Sequence, residues 1–275
     1  MPESSIIHPR AVVAGGARLA GGVEVGPCAV IEEGVELAEG VRVGPHAVLR
    51  AGTLLGRGVS VDAHAVIGGL PQDVNFDPAA SSGVRVGAGT VIREHVTINR
   101  STRPGGLTEV GEGCYLMAAC HLPHDARVGA RTIIANAALF GGHVEVGADC
   151  FIGGSAVFHQ NIRIGEGVMV SGNASFTRDI APFLLAAGRD GIHGLNLVGL
   201  RRRGHPREEI AELKRLFREV LVSPGKPVDN AAKASAVTAA GQRFLAFFSG
   251  SRRGYARPAL PHEVPKPADR EPPRP

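Results

Sequence analysis

Apolar residues recur every six positions along more than half of the chain, and few folds accept that spacing. The first run is Val13, Leu19, Val25, Ile31, Leu37, Val43, Leu49, Leu55, Val61 and Ile67, ten in succession without a miss. After a one-residue shift the pattern continues through Val86, Ile92 and Ile98, then resumes in the same phase from Val110 to Phe176. Glycine often follows the apolar residue, as in Val25-Gly26, Val128-Gly129 and Val146-Gly147. A period of six is neither the 3.6 of a helix nor the plain alternation of a long strand. It fits a short strand and a tight turn, repeated, with three such units closing one coil of a triangular prism. One coil then takes 18 residues, with the apolar residue pointing inward. Stacked coils pair as parallel strands about 4.8 Å apart. The glycines are read as supplying turns with φ > 0. Only 4% of the residues are aromatic and tryptophan is absent. Such a chain must spread its burial along a quasi-one-dimensional core of small and β-branched side chains.

The repeat is broken twice, by "GGLPQDVNFDPAASSGVR" after Ile67 and by "NRSTRPGGLTE" after Ile98. Loops that interrupt a regular scaffold are where function concentrates. Beyond Phe176 the period is lost. In "PREEIAELKRLFREVLVS" the apolar residues Ile210, Leu213, Leu216, Phe217, Val220 and Leu221 follow helical spacing, and a second helix is expected over about 229–248. The division that follows is a β-helical domain over 1–180, a helical domain over 181–256 and a disordered Pro-rich tail over 257–275.

The formal charge of +4 is too small to argue for nucleic acid, and no RNA-binding or zinc-finger motif is present. The four cysteines form no CxxC pair and sit within apolar repeats, which suits reduced, buried thiols and a cytoplasmic location. The segment MPESSIIHPR has neither the basic nor the apolar region of a signal peptide. No stretch approaches the ~20 apolar residues of a membrane span.

The chemistry-bearing motifs are "PQDVNF" (71–76), "REHVTINRST" (93–102), "HLPHDARVG" (121–129), "LFGGHVEVG" (139–147), "AVFHQNIRIG" (156–165) and "GLNLVGLRRRGHPREEI" (194–210). In this order, on this scaffold, they resemble the acyl-[acyl-carrier-protein]–UDP-N-acetylglucosamine O-acyltransferase family of lipid A biosynthesis, over about residues 6–222. The resemblance implies a left-handed parallel β-helix, where the general rule for parallel crossovers would give the right-handed form. It also implies transfer of a 3-hydroxyacyl chain from acyl carrier protein to the 3-hydroxyl of UDP-N-acetylglucosamine, without metal or organic cofactor. A sugar hydroxyl is a poor nucleophile near neutrality, so a base must take its proton, and histidine titrates in the right range. By resemblance His124 is that base, Asp125 orients it, and Gly142 offers a backbone N–H to the developing oxyanion. His121, His143 and His159 line the site, and Gln72 and Asp73 hold the sugar. Gln160, Asn196 and Arg203 contact the nucleotide, and Gly172 sets acyl-chain length. The family assembles as a homotrimer with sites between subunits. His121 and His159 flank inward residues and so point outward, where only a neighbouring prism could complete a pocket.

Each residue also has a plainer reading. His46 and His64 are read as solvated or structural, and Asp125 could simply serve a turn. His121, His143 and His159 suit structural hydrogen bonds as well as substrate contacts. The basic stretch Arg201–Arg203, Arg207, Lys214, Arg215 and Arg218 could dock the acidic carrier protein, as the resemblance implies, or form a solvated face. Zinc held by His121, His124 and His143, as in carbonic anhydrases of this fold, is disfavoured by the histidine spacing. Asn75 stands where the family usually has lysine, and Val198 where an acidic residue is common. Other readings therefore stay open: a 3-amino sugar or another nucleotide-sugar acceptor, a CoA donor, or a trimeric scaffold without chemistry.

Overall fold

The computed structural model describes residues 4–258. From Ile6 to Phe176 the chain winds through short strands that return in threes to the same three sheets. Strands one coil apart pair in parallel, as in Arg127 with Glu145 and Glu145 with Arg163. The three sheets are the faces of a prism. The first holds Val91, Tyr115, Ile133, Phe151 and Met169 in register, the second Val48, Val66, Thr97, His121, Leu139 and Val157. The third holds Arg85, Glu109, Arg127, Glu145 and Arg163. All these side chains point outward. Their neighbours point inward and are buried, from Val25 and Ile31 through Phe140, Phe158 and Phe176. The last three rings stack at 4.8 and 6.1 Å, filling the prism where the coils are nearest the helices.

The glycines after the inward residues have a different role from the one expected. Positive φ falls two residues later, mostly on non-glycines such as His46 (58°), His64 (61°), His95 (59°), Asp125 (60°) and His143 (60°). Gly129 instead permits close approach: a Cβ there would lie 2.4 Å from the Ala148 backbone nitrogen of the next coil. The rings of His46, His64 and His95 stack at 5.0 Å intervals along the corner between the first and second faces, exposed to solvent.

Beyond the coils a hairpin of Leu184–Ala187 and Gly191–Leu195 extends the first face. Four helices follow: α1 (Leu197–Arg202), α2 (Arg207–Phe217, prolonged by a π-helical turn to Val222), α3 (Pro227–Lys233) and α4 (Ala239–Ala246). The single helix expected over 229–248 is thus two. Thr238 caps α4 by accepting from the Gly241 N–H, and the Glu212 carboxylate of α2 takes the N–H groups of Val237 and Thr238, which holds the break open. Arg257 and Pro258, grouped with the tail by sequence, pair in parallel with Gly191 and Ile192, and the rest of that tail lies outside the described residues. Cys114, Cys120 and Cys150 are buried thiols, and Cys28 is only half-buried. No helix among the described residues is long and apolar enough to cross a membrane.

Candidate active site

Both interruptions of the repeat leave the prism at the same corner, between the second and third faces. One joins the strands Val66–Gly69 and Gly83–Val86, the other Thr97–Asn99 and Leu107–Val110. The turns at the same corner of the next three coils carry His124 and Asp125, then Gly142 and His143, then Gln160. His159 begins the last of these, and His121 lies on the second face beside the first. Gln72 and Asp73 sit in the first loop. The Asp73 carboxylate accepts the Asn75 N–H at 3.0 Å, shaping the turn at the loop's tip. The loop is fastened to the second one by Ser82, which donates to the Ser101 carbonyl (2.6 Å), and by Arg100, which donates to the Pro78 carbonyl (2.7 Å).

Asp125 is the best-held group at this corner. Its side chain is 0% exposed and receives five donors. Oδ1 accepts the Ser101 hydroxyl (2.5 Å) and Arg103 Nε (3.2 Å). Oδ2 accepts the Thr102 N–H (3.1 Å), the Thr102 hydroxyl (2.6 Å) and His124 Nδ1 (3.0 Å). Burial pushes the Asp125 pKa up, but the hydroxyls of Ser101 and Thr102, with His124 and the Thr102 N–H, outweigh it and hold the carboxyl well below the usual range. The carboxylate is therefore ionised at any pH near neutrality and fixes His124 as a donor at Nδ1. With Nδ1 donating, the lone pair of a neutral imidazole sits at Nε2, the other ring nitrogen.

That nitrogen lies over Gly142. A Cβ built on Gly142 would stand 2.5 Å from His124 Cε1 and 2.7 Å from Nε2, so only glycine lets the ring rest there. The Gly142 carbonyl accepts the Asn161 N–H of the next coil at 2.9 Å, while its own N–H has no acceptor among the described residues. His124 and the Gly142 backbone thus meet across one coil spacing, as their 18-residue separation implies.

His143 meets the His124 ring edge-on, centroids 5.0 Å apart, with Nδ1 3.7 Å from Asp125 Oδ2. Burial lowers its pKa; Asp125 opposes this, and His124, Arg103 and Arg252 reinforce it. His121 is bonded through Nδ1 to the Thr97 hydroxyl (2.7 Å), and its Nε2 is buried without a partner among the described residues. Burial, and then the neighbouring His124, lower its pKa as well. His159 is exposed. Arg253 donates to its Nδ1 and to the Gln160 carbonyl, the latter at 3.1 Å.

Three expected site residues lie elsewhere in the chain. Asn196 caps α1, accepting the Gly199 N–H (2.9 Å) and donating to the Gly167 carbonyl (3.0 Å). Arg203 donates to the carbonyls of Asp149 (2.8 Å) and Gly167 (3.3 Å). Asp149 and Gly167 belong to the corner between the third and first faces, so neither Asn196 nor Arg203 shares an edge with His124 within one chain. Gly172 lies at the remaining corner, between the first and second faces, where a Cβ would approach the Gly154 carbonyl to 3.2 Å. Sequence reasoning missed Ser101, Thr102, Arg103, Arg252 and Arg253. The first three lie in or beside a quoted motif, but nothing in its spacing said they reach Asp125.

The trio that could approach a metal is His124, Asp125 and His143, whose ligand atoms lie within 4.8 Å of one another; His121 is not part of it. Both Asp125 oxygens are already engaged by protein donors. That donor set suits an orienting carboxylate better than a metal ligand, whose lone pairs must be free for the ion.

A parallel β-helix carrying a carboxylate-oriented histidine above a backbone amide defines an acyltransferase of the hexapeptide-repeat class, with the left-handed coil of that class. A profile described as UDP-N-acetylglucosamine O-acyltransferase, domain 2, matches residues 179–256. An acyl-[acyl-carrier-protein]–UDP-N-acetylglucosamine O-acyltransferase of Halorhodospira halophila is 42% identical over 257 residues, covering 91% of this chain and 99% of its own. One of Alkalilimnicola ehrlichii is 44% identical with the same coverage. The UDP-N-acetylglucosamine acyltransferase from Campylobacter jejuni superposes with a TM-score of 0.86 at 34% identity, covering 91% of this chain and 99% of that one. The chain belongs to the acyl-[acyl-carrier-protein]–UDP-N-acetylglucosamine O-acyltransferase family.

Proposed function

We propose that this acyltransferase moves a 3-hydroxyacyl chain from acyl carrier protein to the 3-hydroxyl of UDP-N-acetylglucosamine, the first step of lipid A biosynthesis, in the cytoplasm and without a metal. One observation carries the reading: His124, oriented by a buried and ionised Asp125, rests with Nε2 over the backbone of Gly142. His124 takes the proton of the sugar hydroxyl as that oxygen attacks the thioester carbonyl. The Gly142 N–H donates to the oxyanion. Collapse breaks the C–S bond, and His124 returns the proton to the departing thiolate.

The active assembly in this reading is a homotrimer. The first and second faces carry apolar outward residues, among them Phe151 (37% exposed), Leu139 (47%) and Val157 (41%), while the third carries alternating charges. Packing the first face of one prism against the second face of the next is a head-to-tail contact that closes as a ring. Its outer lips are then the His124 corner of one subunit and the Asn196–Arg203 corner of its neighbour. Its inner end is the corner of Gly172, and an acyl chain entering from the lips along Leu139, Val157, Phe151 and Met169 would run toward it.

Replacing His124 by alanine is expected to lower acyl transfer by about 10²–10⁴-fold while the trimer persists in light scattering. Retained activity would remove the base from this mechanism. Stoichiometric zinc on the active protein, lost with His124, would favour the carbonic-anhydrase reading instead.

A further inference from the structure

The segment that follows α4 brings an arginine to the catalytic edge that the reaction above does not use. Residues 249–256 are strapped across the last coils. The Asp179 N–H donates to the Gly254 carbonyl (2.9 Å) and the Ala256 N–H to the Asp179 carbonyl (2.8 Å). Arg163 donates to the carbonyls of Phe247 (3.0 Å) and Ser249 (3.2 Å), and is itself held by the buried Asp179 carboxylate (3.0 Å). A strap fixed at both ends sets Arg253 on Gln160 and His159 and leaves Arg252 over a cavity of about 530 Å³.

Arginines crowd this cavity, and one of them stands apart from the ion pairs around it. Four arginines, Arg103, Arg127, Arg163 and Arg252, face two carboxylates, Asp125 and Glu145. Arg103 and Arg163 have buried partners in Asp125 and Asp179, and Arg127 leans toward Glu109 at 3.8 Å. Arg252 has no carboxylate partner among the described residues. Its charge nonetheless reaches the site, since it is among the groups that disfavour protonation of His143. A guanidinium without an ion-pair partner beside His143 suits a bound anion, and its planar fork matches phosphate oxygens.

We propose that this cavity is a phosphate subsite of the active site, with Arg252 and Arg103 as its forks. The inference rests on the function proposed above, which offers two sources of the group: the phosphodiester of the carrier's phosphopantetheine arm and the diphosphate of the nucleotide sugar. The structure favours the first. The strap that carries Arg252 comes from the appended helical region, the side on which carrier docking is expected.

Calorimetry on the full-length protein tests the subsite directly, with phosphopantetheine, pantetheine and UDP as probes. Phosphopantetheine is expected to bind more tightly than pantetheine by roughly 10-fold or more, the worth of a charge-assisted hydrogen bond. Arg252→Ala should abolish that difference and Arg252→Lys should restore part of it. In transfer assays Arg252→Ala should raise KM for the acyl carrier by a similar factor, with kcat changed less, and acyl-pantetheine lacking the phosphate should be insensitive to the substitution. A selective loss of UDP binding, with a raised KM for the nucleotide sugar, would assign the subsite to the diphosphate and overturn the phosphopantetheine source. Unchanged binding of all three probes and unchanged KM for both substrates in Arg252→Ala would overturn the subsite. A wild-type protein that binds phosphopantetheine through Arg252 yet transfers no acyl chain would leave the subsite standing and sink the function.

Discussion

At Gly142 the missing side chain makes room for the His124 ring. The imidazole of His124 occupies the place of its Cβ, and in the proposed reaction the amide beneath that ring is the oxyanion donor. Alanine at this position must either push His124 off Asp125 or tilt the amide. Gly142→Ala is therefore expected to lower kcat by about 10²–10³-fold, the usual cost of losing one oxyanion donor, with KM for both substrates changing less. Steady-state kinetics with each substrate varied in turn would check this, and activity within a few-fold of wild type would contradict the geometry. That His124 and Gly142 lie together was legible because the coil period converts sequence distance into position, residues 18 apart lying one above the other, while their roles were inferred from the family resemblance. Ser101, Thr102 and Arg103 were not legible. Their bonds to Asp125 span 22 to 24 residues across an irregular loop, and no period counts through a loop.

Asp125 is also a joint between elements. It ties the loop over 100–106 to the following coil, and its N–H donates to the Thr108 hydroxyl at 2.8 Å, closing the corner from both sides. Its folded pKa is depressed below the unfolded value, so its contribution to stability is fully present above the ordinary carboxylate range, near pH 4. That contribution is lost as pH falls from there through the lower folded value. His121 and His143, also depressed, lose theirs in the same direction, beginning below about pH 6.5. Acid unfolding followed by circular dichroism should shift to higher pH in Asp125→Asn, because the variant lacks the stabilisation that the ionised carboxylate gives the folded protein at every pH above its depressed pKa. An unchanged acid midpoint would mean that other carboxylates govern it. Elements were read with uneven success for a related reason. The coils and α2 follow from their own periodicity, while the break between α3 and α4 depends on Glu212, a side chain on another helix.

For the whole molecule, the distribution of outward residues is the informative quantity. Two apolar faces and one charged face are a poor surface for a lone prism but a natural one for a ring of three. Phe151→Asp, on the first face and pointing away from the core, is expected to yield a monomer in light scattering with the β-sheet signal retained in circular dichroism. Under the proposed trimeric arrangement acyl transfer should fall with the loss of assembly, because the His124 corner and the Asn196–Arg203 corner then never meet. A trimeric, fully active Phe151→Asp protein would argue that another surface mediates assembly. The sequence by itself determined the coil and the inward core, since these rest on a repeat that each six residues restate, while the roles of His124 and Asp125 came from the family resemblance. The tertiary structure alone decided which corner gathers both loops, which donors hold Asp125 ionised, and that the strap carries Arg252 and Arg253 to the site. Those contacts join residues up to 94 positions apart through irregular segments, where only packing, and no local rule, chooses the partner.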